Sequence, residues 1–366
     1  MARQKRPPSA PVNGAGGGQS VLVAAALASG ADDAGVLAQL CAAGLSPARA
    51  QYELDRAARD PVACALRTAA ARLAKREWIF ANAARLARQN PAALRLNDLA
   101  LDMAGDGGAT GVVAQFYDQF YALNRPARLL GLTAQWPTPA PWALAQVAAL
   151  CGGAAVEIQA QRDSADDYEL AKDAHRRMVH MADFIAWLDD DAPSNDAYLT
   201  AYNSGTNSDA LAPLWSMIGA TPIVHFRRPR DGFFWLGPKG TLTPWHHDLT
   251  NNILLQLVGE KRVQMAPPWA ISAMKNHHHC FSQWGNRDFA REIDAPANPP
   301  ATAPENAPTS PADYVVETVI GPGQAVFLPV GWWHRVESLS PSLSISFTGF
   351  AHANDHADDY ASYGPL

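Results

Sequence analysis

The chain has 366 residues, 48% hydrophobic and 17% charged, with a net charge of −6, which suits a soluble globular protein of one large or two ordinary domains with a sizeable core. No dense lysine and arginine stripe follows the basic first residues, so a nucleic-acid partner is not expected, and no apolar run approaches the length of a membrane span. Four scattered cysteines, Cys41, Cys64, Cys151 and Cys280, form no C-x-x-C pair and read as thiols of a reducing compartment. The N-terminus is basic, then rich in proline, glycine and serine, without the apolar core of a signal peptide. A cytoplasmic location is therefore expected.

Residues 1–19 carry too few apolar side chains to offset ordering entropy and read as a disordered tail. Residues 20–95 form a helical N-terminal region rich in alanine and leucine. Ser46-Pro47 and Asp60-Pro61 each place a capping side chain before a proline at a first helical position. This region reads as a packing or dimerisation module, or as a grip on a partner protein. An amphipathic helix is expected from Val112 to Leu123, stopped by Pro126. Ala127–Leu132 reads as an edge strand, Val156–Gln159 alternates as a strand does, and His175–Leu188 has a helical pattern.

Short strands then dominate: Tyr198–Tyr202, Phe233–Leu236, Asn252–Val258 and Lys261–Met265. Gly259-Glu260 between the last two is a two-residue hairpin signal. Pro267-Pro268 ends that run, and Ala295–Pro311 is low-complexity sequence expected to form a surface loop or lid. The last strands are Tyr314–Val319, Ala325–Leu328 and Leu343–Phe347. Many short strands with Gly/Pro turns predict a mainly β fold behind the helical N-terminal part, a double-stranded β-helix or jelly-roll barrel.

The chemistry concentrates in Thr243-Pro244-Trp245-His246-His247-Asp248 and Gly331-Trp332-Trp333-His334. Side chains two apart on a strand share a face, so His246 and Asp248 look into one cavity and His247 looks out. His334 follows the apolar run Ala325–Pro329. Two histidines and a carboxylate form the facial set that holds Fe(II) and leaves positions open for oxygen and a cosubstrate. Lys261 begins a strand and, if it points into an apolar barrel, needs an anion to offset its desolvation; the plainer alternative is a solvated cation beside Arg262. Asn252 shares a strand face with Leu254 and Gln256 and lines the cavity or serves as a structural amide. His277-His278-His279 cannot converge on one metal from a regular strand and reads as a surface loop. His352 and His356 form an i, i+4 pair only if their segment is helical.

Around these residues stand Trp235–Thr241, Gly321-Pro322-Gly323 and Pro329–His334, in an order that resembles the JmjC/cupin-like family of Fe(II)- and 2-oxoglutarate-dependent oxygenases. The likeness is greatest to the branch containing the asparaginyl hydroxylase of hypoxia-inducible factor. It runs from Phe116 to Phe350, within an oxygenase domain drawn at 110–366. The resemblance implies that His246, Asp248 and His334 are the iron ligands and that Lys261 pairs with the distal carboxylate of 2-oxoglutarate. Thr243 and Tyr198 would hydrogen-bond the same carboxylate, although each also admits a packing role. Such relatives often carry Asn-Phe after the last core strand. Here the text is Ser346-Phe347-Thr348-Gly349-Phe350, so that contact falls to Thr348 if the register differs.

The implied activity is hydroxylation of a C–H bond on a protein or peptide side chain, using O2. The alternatives are a cupin dioxygenase without 2-oxoglutarate, a non-catalytic metal- or ligand-binding barrel, and a hydroxylase of small molecules or RNA. If the chain forms a homodimer, its N-terminal helices are the expected contact.

Overall fold

The computed structural model describes residues 15–28, 31–89, 95–101, 108–164, 168–188, 192–200, 204–289, 315–354 and 356. The low-complexity stretch Ala295–Pro311 lies outside them, as does most of the N-terminal tail. The chain divides into two compact units, residues 1–83 and 84–366.

The first unit is helical: α1 (Ala15–Ala28), α2 (Asp33–Ala42) and α3 (Pro47–Ala57), with α4 (Pro61–Gln89) starting in it. Helix α1 takes in the last residues of the segment expected to be a disordered tail. The helix starts are chemically fixed. Asp32 accepts from Gly35 N at 2.8 Å, Ser46 from Arg49 N, and Asp60 from Val62 N and Ala63 N, each satisfying amides that have no partner within the helix. Val23, Leu27, Val36, Leu40, Ala50 and Leu54 form its core. Glu53, also buried, is held by Arg49 and Arg56.

The second unit carries the strands. They are β1 (Asn97–Ala100), β2 (Ala127–Leu130), β3 (Ala155–Ala160), β4 (Arg176–His180), β5 (Ala197–Tyr198), β6 (Phe233–Gly237), β7 (Leu242–His247) and β8 (Asn252–Val258). After these come β9 (Lys261–Ala266), β10 (Asn276–His278), β11 (Phe281–Ser282), β12 (Val316–Ile320), β13 (Gln324–Leu328), β14 (Trp333–Ser338) and β15 (Ser342–Phe347). One six-stranded sheet runs β1-β2-β13-β8-β15-β6 and the other β10-β11-β7-β14-β9-β12; β4-β3-β5 form a small third sheet. From β6 to β9, and again from β12 to β15, successive strands alternate between the two large sheets. That alternation is the double-stranded β-helix expected from the sequence.

The alternation also overturns one local reading. Gly259-Glu260 does not close a hairpin, because β8 and β9 belong to different sheets. The glycine instead turns the chain across the barrel end at φ +68°, where a Cβ would collide with the Pro341 carbonyl oxygen; only glycine fits such a crossing without strain.

Each large sheet sorts its side chains by pleat. In the first, Leu254, Val326 and Leu328 face inward to meet Val263, Met265 and Val336 of the second. Ile253, Leu255, Phe327 and Ile345 face outward into a larger core. Phe116 at the end of helix α5 (Gly108–Phe116), and Phe120 in the π-helical turn Tyr117–Tyr121 that follows, help fill that core. The Phe116 ring stands edge-on to Phe327 with centroids 5.0 Å apart.

Three further expectations change. Ala127–Leu130 is an interior strand, parallel to β1 and antiparallel to β13, because the short strand Asn97–Ala100, which carries little pattern, covers its edge. Within His175–Leu188 only Met181–Leu188 is α-helical; Arg176–His180 pairs with β3 as β4, where sheet hydrogen bonding outweighs helical spacing. The strand begun at Tyr198 is only Ala197–Tyr198, with a bridge from Leu199 to Leu236.

Candidate metal centre and cosubstrate cleft

His246 lies on β7 and His334 on β14, directly opposite each other in an antiparallel pair, with ring centroids 4.2 Å apart. His334, which follows the apolar run Ala325–Pro329, therefore belongs to a strand of its own, β14. Its alternation, Trp333 and Arg335 outward against His334 and Val336 inward, is legible only once both walls are known to be buried. Asp248 follows β7, its Oδ1 3.6 Å from His246 Nε2 and its Oδ2 3.8 Å from His334 Nε2. Among the described residues these three are the one group of His, Cys, Asp and Glu side chains whose ligand atoms come together, all within 4.8 Å of one another.

The ring orientations are set by the backbone. His246 Nδ1 lies 2.8 Å from the Pro244 carbonyl oxygen and His334 Nδ1 2.9 Å from that of Trp332. A carbonyl only accepts, so each Nδ1 carries a proton and each Nε2 is the ring atom that faces Asp248. Asn252 Nδ2 donates to Asp248 Oδ2 at 3.1 Å and fixes the carboxylate. The donor set of two imidazole nitrogens and one carboxylate oxygen, each held by a further hydrogen bond, fits a divalent transition metal with open positions facing the cleft.

Charge in the group is shared. Burial opposes ionisation of Asp248, but hydrogen bonding from His246 and the charge of both imidazoles outweigh it and hold the carboxyl below its ordinary range. Burial likewise disfavours charged His246, yet Asp248 holds this ring above its usual value. His334 falls to about 4, through burial and then the neighbouring His246.

His247 points the other way, as expected, and is buried there, edge-on to Trp333 at 4.8 Å. Thr243 and His246 share the inner face although three residues apart. The β7–β14 register shifts between His246↔His334 and Thr243↔Val336, a β-bulge that absorbs one residue. Pro244 sits within it, at one of the few sheet positions that spare a proline's missing N–H.

The cleft beside the triad is lined by Tyr198, Thr243, Asn252 and Lys261 and walled by Trp235, Leu254, Phe281 and Val336. Lys261 is 1% exposed. Its Nζ donates to the Tyr198 hydroxyl at 3.0 Å, and no carboxylate pairs with it among the described residues. Burial pulls its pKa down to about 7. Burial raises that of Tyr198, which stays a neutral phenol, and Thr243 lies within hydrogen-bond reach of the same ring hydroxyl. A buried cation whose one protein partner is a phenol suits an anionic ligand group.

Thr348 stands apart from this cleft. It follows β15, and its carbonyl oxygen accepts from Asn354 Nδ2 at 2.8 Å. At Gly349 any Cβ would strike the His225 carbonyl oxygen, so an asparagine has no room here. Asn276–His278 is a short half-buried strand, not a surface loop. His352 packs on the rings of Tyr117 and Tyr121 in a non-helical segment, so the i, i+4 pair with His356 does not form.

Sequence reasoning missed Glu169 and Arg162. Glu169 lines the cleft and pairs at 3.2 Å with Arg162, which is buried, donates to the Leu242 carbonyl oxygen and stacks over Tyr168 and Tyr198. No local pattern announces a pair whose meaning depends on contacts 36 to 80 residues away.

Residues 113–349 match the cupin-like domain family. The chain is 27% identical over 240 residues to Jumonji C domain-containing protein 5 of Drosophila melanogaster, covering 64% of this chain and 56% of that protein. It is 24% identical over 240 residues to Lysine-specific demethylase JMJ30 of Arabidopsis thaliana (63% and 51%) and 26% identical over 251 residues to Lysine-specific demethylase 8 of Danio rerio (64% and 55%). The chain thus spans about half the length of the curated relatives it matches. With the match covering most of the second unit, the chain belongs to the JmjC/cupin-like family of Fe(II)- and 2-oxoglutarate-dependent oxygenases.

Proposed function

We propose that this chain oxidises a C–H bond of a protein or peptide side chain to an alcohol, with His246, Asp248 and His334 holding Fe(II) and Lys261 holding the distal carboxylate of 2-oxoglutarate. The observation that carries this reading is that one cleft holds both the triad and a buried lysine that meets a phenol and, among the described residues, no carboxylate. When bound, the iron and cosubstrate supply the chemistry: one oxygen atom of O2 enters the substrate C–H bond, the other enters succinate, and CO2 is lost.

The protein supplies placement. The Pro244 and Trp332 carbonyls and Asn252 hold the three ligands in advance. Tyr198 and Thr243 stand beside Lys261 to orient a carboxylate, and Trp235, Leu254, Phe281 and Val336 exclude water. A protein substrate is supported by relatives named as lysine-specific demethylases. Those names favour a second reading, oxidation of an N-methyl group, whose hydroxylated product releases formaldehyde.

The test is anaerobic titration with Fe(II) and 2-oxoglutarate, followed by succinate measurement in air, on wild type and Asp248→Ala. Succinate formation is expected to fall by about a hundredfold or more in the variant, exceeding the effect of losing an outer-shell partner. Equal succinate from both proteins sinks the reading. Proteome-wide mass spectrometry then separates a gain of one oxygen from loss of a methyl group with formaldehyde.

A further inference from the structure

A second cleft opens beside β6. Its floor is apolar, formed by Leu211, Trp215, Phe233 and Phe234, and Arg228 and Arg230 stand on its rim. The two clefts draw lining residues from the same two segments. Phe233 lies on β6 two residues from Trp235 of the first cleft, and Thr200 lies two residues beyond Tyr198. At a strand's rise these steps are about 7 Å, two residues of an extended peptide.

The register places the second cleft toward the metal end. Phe233 pairs with Ser346, which pairs with Leu254, two residues from the Asn252 that holds Asp248. Trp235 pairs with Ser344, farther down the barrel.

The rim chemistry narrows the occupant. Arg230 is engaged by Asp209 at 3.2 Å and by the Ser208 carbonyl. Among the described residues Arg228 gives only its Nε to Asp231, at 3.3 Å, which leaves both terminal nitrogens for one carboxylate as a fork. Because each arginine already faces an acid, the rim is locally near neutral and poorly suited to a polyphosphate chain. An aromatic floor with a single open guanidinium suits a bulky apolar side chain next to one acidic residue.

We propose that this cleft is a docking subsite for the protein substrate, which takes an aromatic or aliphatic side chain and an adjacent carboxylate a few residues from the side chain being oxidised. This deepens the protein-substrate reading above and rests on it.

The probe is a glycine- and serine-based octapeptide carrying one glutamate followed by p-benzoyl-phenylalanine. It is photo-cross-linked to the full chain without Fe(II) or 2-oxoglutarate, and the adduct is mapped by tryptic mass spectrometry. Labelling is expected between Leu211 and Phe234. The phenylalanine analogue should compete about tenfold better than its serine analogue, in line with burial of one aromatic side chain. Arg228→Gln, an exposed position whose loss leaves the fold intact, should lower the yield about threefold, the size of one exposed ion pair.

Asp248→Ala should label like wild type. Loss of docking would therefore leave the oxidation reading standing, and loss of turnover would leave docking standing. Labelling spread evenly over the chain, or unchanged by Arg228→Gln, overturns the proposal. So does displacement of the probe by an oligouridine RNA but not by the phenylalanine peptide, which would assign the cleft to nucleic acid.

Discussion

Lys261 and Arg262 are neighbours on β9 and both are buried, yet they sit in opposite electrostatic situations. Arg262 points outward into a network: its guanidinium reaches Glu337 at 2.7 Å and Asp288 at 3.4 Å, Arg335 joins the same Glu337, and Gln264 ties Asp288 to Glu317. Lys261 points inward and meets a phenol. One strand therefore carries a cation whose charge is answered by the protein and, beside it, a cation whose charge is left for something else. Charge pairing is the mark of a structural ion; a buried ion without a counter-charge marks a binding position, since desolvation otherwise goes uncompensated.

Substitution can break that comparison. Arg262→Met should destabilise the fold by about 3 kcal/mol, because Glu337 and Asp288 lose a buried partner; chemical denaturation measures it. A loss near zero would show that the outer network does not hold the wall. Lys261→Met should leave stability unchanged or slightly raised, while 2-oxoglutarate affinity falls about thirtyfold, the worth of one charge-assisted hydrogen bond. Calorimetry reads the affinity, and a large stability loss in this variant would erase the distinction between the two cations.

Protonation sharpens it further. The folded-state pKa of Lys261, about 7, lies below its ordinary 10.5, so the folded protein gives up this proton earlier than the unfolded chain does. Its burial cost is present in full below pH 7 and fades as pH rises from 7 to 10.5. A carboxylate favours the charged form, so 2-oxoglutarate affinity should fall as pH rises through 7, by up to about tenfold per unit, with proton uptake on binding. Arg162 and Glu169 face each other, Tyr198 stays neutral, and with metal saturating, His246, Asp248 and His334 would be held as its ligands, so Lys261→Met should flatten the profile. The smallest effect is expected for Asn252→Ala, which frees Asp248 on one side. Metal affinity should fall about tenfold, read by competition with a chromogenic chelator, with 2-oxoglutarate affinity unchanged once metal is saturating.

What the sequence made legible follows the same division between local and distant causes. Strand alternation places His246 and Asp248 on one face from six consecutive letters, and the run of short strands discloses the barrel. Gly259-Glu260 looks like a hairpin because turn chemistry is local, whereas the sheet each flanking strand joins is decided across the whole barrel. The shared face of Thr243 and His246 depends on a bulge that only pairing with β14 exposes. Arg162 and Glu169 acquire meaning from Tyr198 and Leu242, far along the chain, and Thr348 is set aside because Gly349 lies tight against His225.

The pinned imidazoles have one more consequence. Because both rings are locked by backbone carbonyls two residues earlier in the chain and face each other across a single register position, the cage is preassembled and cannot remodel itself to sort incoming ions. Selectivity then falls back on the intrinsic order of divalent affinities, in which nickel and copper outrank iron. Such a centre is open to displacement poisoning, and its occupancy in a cell is governed by which ions are available.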